Sequence, residues 1–165
     1  MKLRIGIAVL ALAGILGVFV TTALATPGSP LTVETARGEL DGSLNVNARF
    51  GHGASVKIKT RGPTEVVTQR VEIPPGGTTG WHTHPGPNVN VISRGTLTLY
   101  HAEHCEHGIA YGQGSSFPTY PDQVHLARNN GTDTLVFFAT YFMPKTTPPL
   151  PIRLDAPSPG PECPL

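Results

Sequence analysis

GGTTGWHTHPGPNVNVISRG, residues 76–95, is the stretch on which the reading of this chain turns. His82 and His84 are two apart. Successive side chains of a β-strand leave opposite faces, so on a strand both imidazoles leave the same face. In a barrel, alternate residues point inward, which would bring the two rings to one place in the lumen. Neutral imidazole is a common ligand for zinc, copper, iron and nickel. On spacing alone, however, the pair also suits two partly exposed strand histidines. Trp81 faces the other way from His82 and reads as outer core. The stretch continues as Val89-Asn90-Val91-Ile92, then Gly95, then Thr96-Leu97-Thr98-Leu99-Tyr100, the pattern of two short strands meeting at a turn.

The neighbouring sequence has the same texture. Upstream, Val56-Lys57-Ile58-Lys59 alternates with period two. Glu65 to Ile73 does so again, with Val67, Gln69, Val71 and Ile73 on one face. Gln69 interrupts that apolar face and is expected either as a polar group of the lumen or at its rim. Downstream, Gly112 and Gly114 bracket a turn, Val124 to Arg128 is a short strand, Asn129-Asn130-Gly131 a hairpin turn and Thr134 to Phe142 a last apolar strand. Glycine and proline are abundant, at 19 and 17 of 165 residues, and no amphipathic helix is apparent. Short strands at regular spacing predict an all-β sandwich or jelly roll.

Spaced constraints in this region resemble the two motifs of the cupin superfamily. Gly76, His82-Thr83-His84, Asn88 and Gly95 are similar to the first, and Gly114, Tyr120-Pro121-Asp122, His125 and Asn129 to the second. The resemblance implies a double-stranded β-helix, with His125 brought from another strand to His82 and His84 as a third metal ligand. The cofactor it implies is one divalent transition metal: Fe, Zn, Mn or Ni. Two departures from the pattern matter. Tyr120 and Asp122 stand where proline and glycine are usual. Asn88 stands where the family has a metal-binding glutamate, and neither Asp nor Glu occurs between Thr78 and Thr98. Three neutral imidazoles leave the ion its full charge, which favours an anionic ligand or substrate. Asn88 would offer its amide oxygen as a weak fourth ligand or hydrogen-bond whatever occupies that place.

The ends of the chain carry different signals. Met1-Lys2-Leu3-Arg4 is a cationic start, Ile5 to Val20 is uncharged and apolar, and Ala23-Leu24-Ala25 is a small-x-small cleavage site. Residues 1–25 therefore read as a signal peptide, and the protein as secreted or periplasmic. Left uncleaved, the segment would be a membrane anchor. Residues 26–54 are expected to be an irregular N-terminal segment, 55–143 the barrel, and 144–165 a tail. That tail carries eight prolines and reads as extended polyproline-like chain, neither strand nor helix. Cys105 and Cys163 are the only cysteines. In an oxidising compartment they are expected to pair and pin the tail, stabilising by around 4 kcal/mol on a chain-entropy model.

Composition narrows the partners. The formal charge is +1; without Lys2 and Arg4 there are ten cations against eleven anions, so nothing invites nucleic acid. The tract His101 to His107 has metal-binding density but suits a solvated loop, and His52 a surface loop. No nucleophilic triad or phosphate loop is present, and no general base can be named. Three readings stay open: a dioxygenase-like or isomerase-like enzyme acting on a small, anionic molecule; a non-catalytic metal-dependent ligand-binding protein; and a structural cupin whose histidines brace the barrel. A homodimer is compatible with any of them.

Overall fold

The computed structural model describes Gly28 and residues 31–164. The expected signal peptide and its cleavage site lie outside the described residues. Twelve strands run in chain order: β1 Thr32–Glu39, β2 Asn45–Arg49, β3 Ser55–Lys59, β4 Thr64–Ile73, β5 His82–Thr83, β6 Asn88–Arg94, β7 Thr96–His101, β8 Ile109–Gly112, β9 Ser116–Thr119, β10 His125–Arg128, β11 Leu135–Pro144 and β12 Leu154–Asp155. Only two short 3-10 turns, Gly51–Gly53 and Ala102–His104, interrupt the all-β pattern among the described residues. No helix there is long and apolar enough to cross a membrane.

Two five-stranded antiparallel sheets, ordered β1-β4-β11-β6-β9 and β12-β5-β10-β7-β8, form a double-stranded β-helix. Its core is the inward half of each alternating strand. Val67, Val71 and Ile73 of β4 meet Ile92 of β6, Leu97 and Leu99 of β7, and Phe137 of β11. Burying side chains of this size stabilises by roughly 1.5–3 kcal/mol each. Tight turns let the short strands close. Gly95, with φ +79°, links β6 to β7. At Gly86, between β5 and β6, a Cβ would sit 2.2 Å from the Phe142 carbonyl oxygen, so only glycine allows this approach to β11.

The N-terminal stretch departs from the irregular chain expected of it. β1 pairs with β4 along its whole length, from Thr32 opposite Glu72 to Glu39 opposite Glu65. Its eight residues are all exposed, so it lacks the apolar alternation that betrays a half-buried strand; backbone pairing at the sheet edge orders it. Arg37 of β1 forms an ion pair with the buried Glu65. β2 and β3 form a separate two-stranded hairpin, so Val56-Lys57-Ile58-Lys59 is a strand, as its alternation predicts, but both its faces are exposed.

The tail also differs from expectation, because Leu154 and Asp155 pair with Thr83 and His82 on the edge of β5. Proline-rich flanks disguise a strand only two residues long. Beyond it, the Ala156 amide donates to the Trp81 carbonyl at 2.9 Å. The Trp81 indole nitrogen donates to the Pro164 carbonyl at 3.0 Å. Cys105 and Cys163 are disulfide-bonded. Trp81, Leu126, Ala156 and the disulfide make a second apolar cluster between barrel and tail, with Tyr100 packed against it. Trp81 is thus outer core, as its strand parity predicts.

Candidate metal centre

β5 and β10 are adjacent, with His82 directly opposite His125. His84 follows β5 by one residue. One donor atom from each of the three lies within 4.8 Å of the others, and all three side chains are buried. Ring centroids are 4.5 Å apart for His82 and His125, 4.9 Å for His82 and His84, and 5.1 Å for His84 and His125.

Hydrogen bonds fix which nitrogen faces the cavity. The Nδ1–H of His82 donates to the Gly80 carbonyl at 2.8 Å, and that of His125 to the Gln123 carbonyl at 2.8 Å. Each acceptor lies two residues upstream of its histidine. The acceptor for His84 is the carbonyl of Ile152, at 2.7 Å, in the C-terminal tail. A carbonyl can only accept, so each Nδ1 carries the proton and each Nε2 keeps its lone pair. A second bond of this kind is what orients a metal-ligating imidazole. Burial, first of all, depresses the pKa of each ring. His82 and His84 are lowered, and His125 falls to about 4. The rings also repel one another's charged forms, and the Arg153 guanidinium adds to this. All three are therefore neutral at pH 7, the state that binds a metal. The donor set fits one divalent transition ion, with coordination positions left over.

The turn before His125 explains one departure from the cupin pattern. Asp122 sits in the left-handed region, at φ 60°. Glycine takes that conformation freely and aspartate is among the few side chains that tolerate it, so the turn survives the substitution. Asn129 is structural: its amide nitrogen donates to the carbonyls of Ile73 and Asp133, and its oxygen accepts from the Gly131 amide.

Asn88 is buried at the cavity, but its oxygen is already committed. Oδ1 accepts from the Thr119 hydroxyl and from Asn90 Nδ2, each at 2.7 Å. Asn90 Nδ2 also approaches the Phe117 carbonyl, which can only accept, and this fixes the sense of the network. What Asn88 has left is its Nδ2 donor. Of the two roles expected for it, hydrogen bonding to a bound group fits this arrangement, and ligation through oxygen does not.

The cavity holds about 660 Å³ of empty space, open mouth included. Gln69 lines it, donating to the Thr35 hydroxyl at 3.1 Å. Tyr141 also lines it, its ring 5.0 Å from that of His84, and burial raises its pKa so that it stays protonated. Tyr100 lies outside with Trp81. Among the described residues no carboxylate lines the cavity, and the one formal cation that does is Arg153. The sequence reading missed Arg153, the Ile152 carbonyl, and the Thr119 and Asn90 partners of Asn88. The only available signal was Arg153-Leu154-Asp155, a charged interruption among prolines. Within the tract from His101 to His107, Cys105 lies near Glu162 and Cys163 but is spent in the disulfide, and His104 and His107 are exposed. His52 is exposed.

A cupin-domain family model matches residues 69–141. No curated protein matches the sequence. Among solved structures, the chain is similar to a Neisseria meningitidis protein, at 17% identity and TM-score 0.40, covering 46% of this chain and 72% of that one. It is similar to an oxalate oxidase at 20% identity and TM-score 0.44, spanning 52% of each chain, about half of that protein's length. A Klebsiella pneumoniae protein with a double-stranded β-helix domain is similar at 18% identity and TM-score 0.42, covering 63% of this chain and 78% of that one. These likenesses say nothing of substrate or activity. Residues 69–141 are thus similar to a cupin domain, and the three histidines lie within that match.

Proposed function

We propose that this cupin-domain chain is an exported protein that holds one divalent transition metal on His82, His84 and His125, and binds or acts on a small anionic molecule beside it. One observation carries the reading: three buried imidazoles converge, each with Nδ1 tied to a backbone carbonyl and Nε2 left for an ion. Histidines that merely braced the barrel would be expected to satisfy both ring nitrogens, whereas here only Nδ1 is bonded among the described residues. A bound ion would supply Lewis acidity and exchangeable positions for an anion or dioxygen.

The protein's own groups set the terms for what enters. Three neutral ligands leave the ion's charge uncompensated, and Arg153, paired through Nε with Asp155, lines the same cavity. Asn88 Nδ2 offers a donor. The lumen has no carboxylate, and Tyr141 is protonated, so a side-chain general base is lacking among the described lining residues. Chemistry here would be centred on the ion. Export is supported by the disulfide and by the N-terminal sequence.

Elemental analysis of protein purified without chelators tests the metal. About one transition ion per chain is expected, and none would turn the reading to a structural cupin. Dioxygen uptake with small carboxylic acids and thiols then separates an oxygen-using enzyme from a binding protein.

A further inference from the structure

Arg153 belongs to a segment read from sequence as mere tail, yet it reaches the cavity of the barrel. Its position is built. Leu154 and Asp155 pair with β5, the Ile152 carbonyl accepts from His84, and Cys163 is bonded to Cys105, so the chain is tied on both sides of Arg153. The Nε of Arg153 donates to the Asp155 carboxylate, which orients the guanidinium. Its two terminal nitrogens have no partner among the described residues. The side chain is one-third exposed, at 33%, so it meets both solvent and the cavity it lines. Across the same cavity, Asn88 presents an Nδ2 donor whose orientation Thr119 and Asn90 lock. The remaining walls are largely apolar, from Val71, Leu97, Leu99, Phe117 and Phe137.

We infer that Arg153 is the specificity-determining residue of the cavity and that the ligand is a small monocarboxylate with a short apolar body, its carboxylate held by the Arg153 fork and its body against the apolar walls. The inference rests on the proposed function for its site and goes beyond it by naming the ligand class and the residue that selects it. A guanidinium presents paired N–H donors that match a carboxylate, and charge-assisted bonds of this kind are the strong ones. Arg153 lines the same cavity as His82, His84, His125 and Tyr141, so the guanidinium borders the ligand space. The Asp155 carboxylate engages Arg153 through Nε, which leaves the two terminal nitrogens for an incoming carboxylate.

The test uses the full disulfide-bonded chain loaded with zinc, with butyrate as the anionic probe and butyramide as its neutral counterpart, both followed by calorimetric titration. Wild type should prefer butyrate. Arg153→Gln should lose butyrate affinity by about ten- to a hundredfold while butyramide binding is unchanged, and Arg153→Lys should recover part of the loss. A merely structural role would move both probes together. Equal butyrate binding by wild type and Arg153→Gln, parallel loss of both probes, or no butyrate binding by wild type would each overturn the inference. Zinc content is measured on the same samples. Wild type that holds no zinc yet keeps its Arg153-dependent preference for butyrate would sink the metal reading and leave this inference standing.

Discussion

The imidazole of His84 and the backbone carbonyl of Ile152 are joined by a 2.7 Å hydrogen bond across 68 positions of sequence. The other two histidines find their acceptors locally, two residues back, so the barrel alone orients them. His84 depends on the tail.

Loss of the Cys105–Cys163 bond should therefore reach the metal site. In the Cys105→Ser/Cys163→Ser double variant the barrel should stay folded while the tail loosens. Affinity for zinc, read by competition with a chromophoric chelator, should fall by about ten- to a hundredfold, the usual cost of losing a ligand's orienting partner. Unchanged affinity would mean that β12 pairing holds Ile152 without the disulfide.

Removing a ligand should cost more than removing its support. His84→Ala is expected to weaken zinc binding by more than a hundredfold and to leave the circular dichroism of the barrel intact. A variant that retained a full equivalent of zinc through chelation would place the ion elsewhere.

Asn88→Asp preserves the shape of the side chain and its two acceptor bonds to Thr119 and Asn90. In place of the Nδ2 donor it puts a carboxylate oxygen. Zinc should bind more tightly and butyrate more weakly, because the added negative charge offsets the ion's and repels the anion. Opposite movement of the two affinities is the signature to look for in paired titrations.

The histidines also set an acid limit. His125 titrates near 4 when folded, against about 6.5 in an unfolded chain, and His82 and His84 shift in the same direction. Between those values the unfolded chain takes up protons that the folded one refuses, so stability falls as pH falls. Metal-free protein should keep its full melting temperature above about pH 6.5. It should lose stability progressively down to about pH 4, where the contribution of His125 levels off. A melting temperature that did not change between pH 7 and 4 would show that the rings are not held neutral by burial.

Export has its own check. Protein recovered from its native host should begin near Thr26, and N-terminal sequencing that found Met1 on membrane-bound material would identify an anchor instead.

Much of the site was legible because its residues obey local periodicities. The two-residue spacing of His82 and His84 is readable from strand parity, whereas His125 is reached only through the resemblance of Gly114 to Asn129 to the second cupin motif. Gln69 is marked by the apolar face it interrupts. β1 escaped because an edge strand ordered by backbone bonds needs no apolar alternation. Arg153 escaped for a different reason: its place in the cavity comes from a disulfide and a two-residue strand, both long-range, and nothing in the residues around it encodes where they dock. Asn88 was legible as a position but not as a chemistry, since only its neighbours Thr119 and Asn90 decide which end of the amide is spent.

The lateness of Ile152 in the chain fixes an order of assembly. All three imidazoles are synthesised and can meet before the carbonyl that orients His84 has docked, and that docking is secured by a bond that forms only where thiols are oxidised. In an exported chain, maturation of the proposed centre and oxidation of the cysteines would then belong to the same place. Imidazole sites rank divalent ions by intrinsic affinity with little regard for biological purpose. The ion carried by the finished protein would then reflect the metal supply of the oxidising compartment, and material folded in a reducing cytoplasm would carry a different history in its metal content.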